Sequence, residues 1–140
     1  MSPIPPLLRR SLRAESNNPR CAYCHSPEKL LGIPLEVDHI TSVSLTGKTV
    51  IGNLCLCCRT CNGYKWKIVK ARDPLTNRLV KLFHPRRQKW PEHFRWDAGR
   101  TRIIGLSATG RATIEALQMN NDLMVNLRSL WVILDLHPGT

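Results

Sequence analysis

The chain has 140 residues, 42% of them hydrophobic and 6% aromatic, which suits a single domain, or one compact domain with an appendage, around a modest core. Its 21 lysines and arginines against 10 acidic residues give a net charge of +11, which favours a polyanionic partner such as nucleic acid. No stretch approaches about 18 uninterrupted apolar residues, and no lipidation motif is present, so membrane binding is not expected.

The first twenty residues are interpreted as a basic N-terminal arm. Residues 1–8 are proline-rich and predicted to be extended, and residues 8–16, LRRSLRAES, favour a short basic helix. That helix should end before the Asn-Asn-Pro turn signal at residues 17–19. PIPPLL is too short and proline-rich for a signal peptide core, so a cytoplasmic protein with reduced thiols is predicted.

The next fifty residues alternate between tight turns and short regular elements. Residues 21–25 predict a knuckle, and residues 35–40, LEVDHI, predict a strand. A polar loop follows, with a short second strand expected around residues 49–51. From Asn53 to about Ala71 the pattern favours helix or turn, with Asn62 at a plausible helix start.

The remainder predicts short strands followed by two helices. The strands are expected in LVKLF, residues 79–83, and RIIGL, residues 102–106, after a turn over residues 72–78. The first helix covers TGRATIEAL with Thr109 as a possible cap, and the second runs from Asp122 to about Leu136. Its leucine stripe is predicted to be core, and comprises Leu123, Leu127, Leu130 and Leu134. Trp90 and Trp96 are likewise predicted to pack in the core rather than to stack on bases.

Six cysteines in a reduced compartment predict a metal site. The pairs Cys21-x2-Cys24 and Cys58-x2-Cys61 each suit two ligands of a tetrahedral structural zinc. The spacing alone leaves the second pair open, because Cys55-x2-Cys58 has the same form. Disulfides and a redox-active CxxC are the alternatives considered.

Polar residues with catalytic potential surround this predicted zinc site. Asp38, His39 and Asn53 lie between the two cysteine pairs, and Asn62 and Lys65 follow the last cysteine. A shared zinc would close the chain into a loop and bring VDHI and CNGYK together. Because neighbouring strand residues face opposite sides, a strand end or bulge is expected to let the adjacent Asp and His serve one site.

The motifs VDHI, GNL and CRTCNGYK together resemble the HNH endonuclease family in its four-cysteine zinc form. The resemblance is strong over residues 21–65 and looser through HPRRQKWPEHFRW and GRATIEALQMN. It implies an α+β protein with a ββα-metal core, stapled by the zinc knuckle, over residues 21–71. Residues 72–140 would then form a basic extension whose C-terminal helices pack on that core.

The resemblance also implies a role for each polar residue. His39 would be the general base that activates water, Asp38 and Asn62 would bind a catalytic Mg²⁺ or Mn²⁺, and Asn53 would orient the loop carrying His39. It favours Cys61 over Cys55 as the fourth zinc ligand. These roles suit the chemistry, since imidazole titrates near neutral pH and hard oxygen ligands suit Mg²⁺.

Thirteen basic residues and only three acidic ones lie between residues 59 and 102. The residues expected to contact the DNA backbone are Lys65, Lys67, Arg86, Arg87 and Lys89. The sequence therefore predicts a zinc-stapled, metal-dependent endonuclease that cuts DNA and leaves 5′-phosphate and 3′-hydroxyl ends. A non-catalytic zinc-knuckle module that binds nucleic acid is the alternative, and a nuclease directed at RNA is a third possibility. Sequence specificity, one- or two-strand cutting, biological role and oligomeric state stay open.

Overall fold

A computed structural model describes residues 4–138 of the chain. They divide into two compact units, and each is described by itself. The first runs to Val69 and also includes His84–Gln88, and the second comprises Lys70–Phe83 and the chain from Lys89 onward. Within the described range, none of the helices combines the length and the apolar character that crossing a membrane requires.

The first unit begins with helix α1, Pro6–Arg13. The extended conformation predicted for residues 1–8 is therefore wrong from Pro6 onward, and residues 1–3 lie outside the described range. Proline is well tolerated in the first turn of a helix, where its missing N–H would have no intrahelical partner. The basic helix predicted over residues 8–16 is confirmed in type, and it buries Leu12.

A two-stranded antiparallel sheet forms the centre of the first unit, after a short helix α2, Glu28–Leu31. Strand β1, Glu36–His39, lies in the predicted LEVDHI segment and pairs with β2, Leu54–Cys57. The second strand predicted around residues 49–51 is misplaced, since Ile51–Asn53 forms a 3-10 turn and the strand follows it. All four residues of β2 are buried, so the strand lacks the alternation of a half-exposed one.

Helix α3, Arg59–Lys65, completes the ββα arrangement directly after β2. Its N-cap is Cys58, whose Sγ accepts a hydrogen bond from the Cys61 backbone N–H, so the helix start predicted at Asn62 is wrong. The helix also ends before the predicted Ala71, since Lys70–Arg72 is a strand. Small antiparallel sheets mixed with helices confirm the α+β class and are consistent with a ββα-metal fold.

The second unit contains two antiparallel hairpins, joined through helix α4, Trp90–His93. Strand β3, Lys70–Arg72, pairs with β4, Leu79–Lys81, and β5, Phe94–Trp96, pairs with β6, Ile103–Gly105. The predicted turn over residues 72–78 and the strands in LVKLF and RIIGL are thus confirmed. Trp90 and Trp96 are half-buried and pack beside each other, with ring centroids 5.8 Å apart.

Two helices end the second unit, α5, Ala108–Leu117, and α6, Asp122–Ile133. The predicted cap of α5 is wrong, because Ser107, not Thr109, accepts a bond from the Gly110 N–H.

The leucine stripe predicted as core is also wrong, because Leu123 is 80% and Leu130 57% exposed. Helix α6 buries Arg128 and Trp131 instead, and Arg128 donates hydrogen bonds to the carbonyl oxygens of Thr101 and Met119. Helical periodicity in the sequence identifies an apolar face of α6. Which face is buried depends on tertiary contacts, here the hydrogen bonds of Arg128.

Candidate metal centre and adjoining polar cavity

Four buried cysteines of the first unit converge on one point. The Sγ atoms of Cys21, Cys24, Cys58 and Cys61 all lie within 4.8 Å of one another. In each CxxC pair the backbone N–H of the second cysteine donates to the sulfur of the first, Cys24 to Cys21 and Cys61 to Cys58, each at 3.4 Å. Each CxxC pair therefore forms a tight turn that presents two sulfurs to the same point.

This cluster suits a tetrahedral zinc ion. Four thiolates at the usual Zn–S distance of about 2.3 Å would place their sulfurs about 3.8 Å apart, and the Cys24 and Cys58 sulfurs are 3.8 Å apart. The structure also settles the register in favour of Cys61. The Cys55 sulfur lies instead 3.8 Å from the Tyr23 hydroxyl and 3.9 Å from Asp38 Oδ2.

The thiols within the cluster differ in acidity. A hydrogen bond with Cys21 lowers the pKa of both Cys24 and Cys58, whereas burial raises the pKa of Cys21 well above its usual value. A metal ion takes thiolates as its ligands, so it would replace the protons that these sulfurs otherwise share.

An open cavity of about 810 Å³ lies in the first unit, within the range of about 300–1,000 Å³ typical of ligand sites. It brings together four residues that the sequence predicted for catalysis or DNA contact, namely Asp38, His39, Asn62 and Lys67. Its other polar lining residues are Glu36, Ser42, Ser44 and Arg59.

Asp38 lies on β1 with most of its side chain buried. No bulge interrupts the strand there, since Asp38 pairs with Cys55 and His39, the last strand residue, pairs with Leu54. The carboxylate accepts a 2.8 Å hydrogen bond from the Tyr23 hydroxyl. Burial raises the pKa of Asp38 despite the opposing effect of the neighbouring Lys65 ammonium.

Lys65 forms a buried ion pair with that carboxylate. Its Nζ lies 3.1 Å from Asp38 Oδ2 and donates to the His39 carbonyl oxygen at 3.1 Å. Only 2% of the Lys65 side chain is exposed. The ammonium predicted to contact DNA therefore faces the interior and stabilises β1.

Asn62 lies within α3 and contacts β1 through its side chain. Its Nδ2 donates a 2.8 Å hydrogen bond to Glu36 Oε1, two residues before Asp38 on the strand. The bond uses the amide nitrogen, whereas the amide oxygen is the atom that would bind a cation. Glu36 therefore orients the predicted cation ligand.

His39 and Asn53 are both hydrogen-bonded to the loop between the strands. The His39 Nε2 lies 3.0 Å from the Thr49 hydroxyl oxygen. Asn53 Oδ1 accepts from the Thr41 N–H, and its Nδ2 donates to the carbonyl oxygens of Thr41 and Lys48, all at 2.9 Å. The side-chain amide of Asn53 is thus bonded to both ends of the 41–48 segment, which follows His39 closely.

The other basic residues predicted to contact DNA have different surroundings. Arg86 donates from Nε to the Leu54 carbonyl oxygen and from Nη2 to the Glu15 carboxylate. Two nitrogens of its guanidinium are therefore hydrogen-bonded within the first unit. Arg87 is exposed in the same unit, and Lys89 is exposed in the second. Lys67 is exposed, with its Nζ 5.1 Å from the Trp66 ring centroid.

Sequence reasoning missed four residues of this site, Glu36, Thr49, Arg59 and Trp66. Glu36 had a usable signal, since strand periodicity places it on the same face as Asp38. Thr49 had none, because its contact with His39 crosses a loop. Trp66 directly follows the CNGYK motif, but the sequence carries no signal that its ring is exposed.

A ββα unit with four clustered cysteines that could hold a metal ion, beside a polar cavity, defines the class of site. The model of the HNH endonuclease family matches residues 21–66, about a third of the chain, which confirms the resemblance over that segment. Neither a curated protein nor a solved structure matches the chain significantly. Members of this family act on nucleic acids, and the matched segment contains the cysteine cluster and most of the cavity lining.

Proposed function

We propose that this protein is a metal-dependent HNH endonuclease that hydrolyses DNA phosphodiester bonds. The observation that carries the proposal is the single cavity shared by His39, Asp38 and Asn62, which come from β1 and α3. In the sequence, a loop and the strand β2 separate Asp38 and His39 from Asn62. Their convergence beside a cysteine cluster fits the roles that the family resemblance implies.

The four-cysteine centre would have a structural role. Four thiolates complete a tetrahedral zinc shell and leave no position for water or substrate. The ion would join the knuckle at Cys21 to the start of α3 at Cys58, and so hold Asn62 against β1. Buried free thiols suit a reducing compartment, which supports the cytoplasmic location.

His39 would act as the general base. Its bond with Thr49 fixes the orientation of the imidazole, and Asn53 holds the backbone that follows it. A positioned base contributes about 10²–10⁴ in rate when it takes the proton of the attacking water. Asn53 would therefore act as a positioning residue.

The oxygen atoms near Asn62 suit a hard divalent cation. The carboxylates of Asp38 and Glu36 and the Asn62 amide offer the ligand type that Mg²⁺ and Mn²⁺ prefer. When bound, such an ion neutralises charge on the scissile phosphate and the departing oxygen. Asn62 and Asp38 would hold it, and Glu36 would keep the Asn62 amide in place.

Exposed basic residues would contact the DNA backbone. Arg59 and Lys67 line the cavity, and Arg87 and Lys89 are exposed elsewhere. Lys65 is not included in this set, because it is buried against Asp38. Contacts of this kind favour salt-sensitive binding with little sequence preference.

The buried ion pair between Asp38 and Lys65 favours a second candidate, the non-catalytic zinc-knuckle module that binds nucleic acid. If Asp38 only supports the fold, the cavity would bind phosphate without cleaving it. Both candidates predict zinc and DNA binding, so only cleavage separates them. An RNA substrate is distinguished by competition between the two nucleic acids.

The test is plasmid nicking by the purified protein, with and without Mg²⁺ or Mn²⁺, beside His39→Ala and Asn62→Ala. Nicking that needs the cation and falls at least 100-fold in His39→Ala, with zinc content unchanged, supports the nuclease. His84→Ala is the matched control, since it removes an imidazole outside the cavity lining. Retained cleavage in His39→Ala would refute the assigned base, and binding without cleavage by the wild type would favour the module.

A further inference from the structure

Trp66 is the exposed tryptophan of the first unit. About 70% of its surface is accessible, whereas Trp131 is buried and Trp90 and Trp96 are half-buried in the second unit. Tryptophan is enriched at binding surfaces, because it combines a large apolar ring with a polar N–H group. Trp66 lines the same cavity as His39 and Asn62.

The backbone of Trp66 has a positive φ, which is unusual for a residue with a bulky side chain. Its φ is 46° and its ψ −110°, and its N–H bonds to the Asn62 carbonyl oxygen at the end of α3. Glycine is the usual residue where a helix ends with positive φ, because a bulky side chain there is strained. The fold alone would be served better by glycine, so the indole needs another explanation.

Two positively charged side chains share the cavity with this ring. Lys67 Nζ is 5.1 Å from the indole centroid, and the exposed Arg59 lines the same cavity. The acidic lining residues are already engaged, Asp38 with Lys65 and Glu36 with Asn62. An aromatic face with adjacent cations is the combination that binds single-stranded nucleic acid, by stacking on bases and contacting the backbone.

We propose that Trp66 is a stacking platform for an unpaired base next to the phosphate held in the cavity. The substrate would then be nucleic acid that is single-stranded or locally opened at the cleavage position. In an intact duplex both faces of each base are covered by its neighbours, so the indole has no face to stack on. This inference deepens the proposed nuclease function and rests on the same cavity.

The position of the platform follows from the end of α3. Trp66 directly follows the helix, its backbone N–H bonds to the Asn62 carbonyl oxygen at 2.9 Å, and both residues line the same cavity. A base stacked on the indole would therefore place its own phosphate toward the predicted cation ligand. Lys67, which covers one side of the ring, would then lie close to the next phosphate along the strand.

The experiment compares Trp66→Ala, Trp66→Phe and Trp66→Gly by fluorescence anisotropy, using a labelled single-stranded oligonucleotide and the same sequence as a duplex. No divalent cation is added, so binding is measured apart from cleavage. Tyr64→Ala is the matched control, because Tyr64 is an exposed aromatic residue two positions earlier, in α3, that does not line the cavity. Zinc content and the thermal transition check the fold, and Trp66→Gly relieves the strained φ, so it provides a variant that folds.

We expect Trp66→Ala and Trp66→Gly to bind the single strand about 5- to 150-fold more weakly, the range that one base–aromatic stack supports. Duplex binding should change less than twofold, Trp66→Phe should retain most of the affinity, and Tyr64→Ala should match the wild type. Equal losses on both substrates, or no loss on the single strand, would overturn the platform. Lack of cleavage of both the single strand and a plasmid in Mg²⁺ or Mn²⁺ would refute the nuclease separately and leave this binding result standing.

Discussion

The ion pair between Lys65 and Asp38 allows a quantitative test of what holds β1 against α3. Replacing Lys65 with methionine keeps the length and apolar stem of the side chain but removes its charge. The ammonium lies 3.1 Å from Asp38 Oδ2, and the side chains are 2% and 5% exposed, so water cannot replace the lost partner. Removing one member of such a buried pair costs about 3–5 kcal/mol.

We therefore expect Lys65→Met to destabilise the first unit by about 3–5 kcal/mol. The pKa of Asp38 should rise further in this variant, because the ammonium is the largest influence that opposes burial. Asp38→Asn should also destabilise, and the double variant should lose clearly less than the sum of the two single losses. That non-additivity distinguishes a charge pair from two unrelated packing effects.

The assay is zinc release in increasing urea, followed with a colorimetric chelator, because all four predicted zinc ligands belong to the first unit. Lys67→Met is the matched control, since it removes the same charge from an exposed position. A loss below about 1 kcal/mol in Lys65→Met, the value typical of surface pairs, would refute this reasoning. Additive losses in the double variant would do the same.

Two further predictions concern the cysteines and the second unit. Cys61→Ala should lose zinc and the folded first unit, whereas Cys55→Ala should retain a full equivalent of zinc. Metal analysis of the purified variants measures this. Equal zinc loss in both would contradict the assignment of Cys61 as the fourth ligand. In the second unit, the Arg111 guanidinium bonds to Asp73 and holds the pKa of that carboxyl well below its usual value of 3.8. As the pH falls, the unfolded state therefore takes up this proton before the folded state does. The stability that the ion pair contributes is present above about pH 4 and is lost progressively at lower pH. Asp73→Asn should be less stable at pH 7 and lose less on acidification, as followed by urea unfolding with tryptophan fluorescence; parallel losses in both proteins would argue against the pair.

Local spacing predicted the features that depend on local geometry. A CxxC pair closes a single turn, so the two knuckles could be located from the sequence, and the strand-like segment LEVDHI predicted β1. The family resemblance chose Cys61 where spacing could not. The position of β2 was missed, because a fully buried four-residue strand without polar alternation reads equally well as part of a helix.

Tertiary burial decided the features that the sequence did not predict. Lys65 is close to Asp38 only after α3 packs on β1, and no local pattern distinguishes it from the exposed Lys67. The contact between Asn62 and Glu36 spans 26 positions, so it too depends on the folded arrangement. In α6 the leucine stripe is apolar, but the side of the helix that carries Arg128 and Trp131 is the buried one.

The five residues His84–Gln88 belong to the first unit although they follow the first hairpin of the second. Arg86 within them bonds to the Leu54 carbonyl oxygen at the start of β2 and to Glu15 near the N-terminal helix. During synthesis, the ribosome must therefore release the intervening hairpin before the nuclease-like unit can complete its hydrogen bonds. A fragment that ends at residue 71 would contain every predicted catalytic residue and all four clustered cysteines, yet it would lack this returning segment.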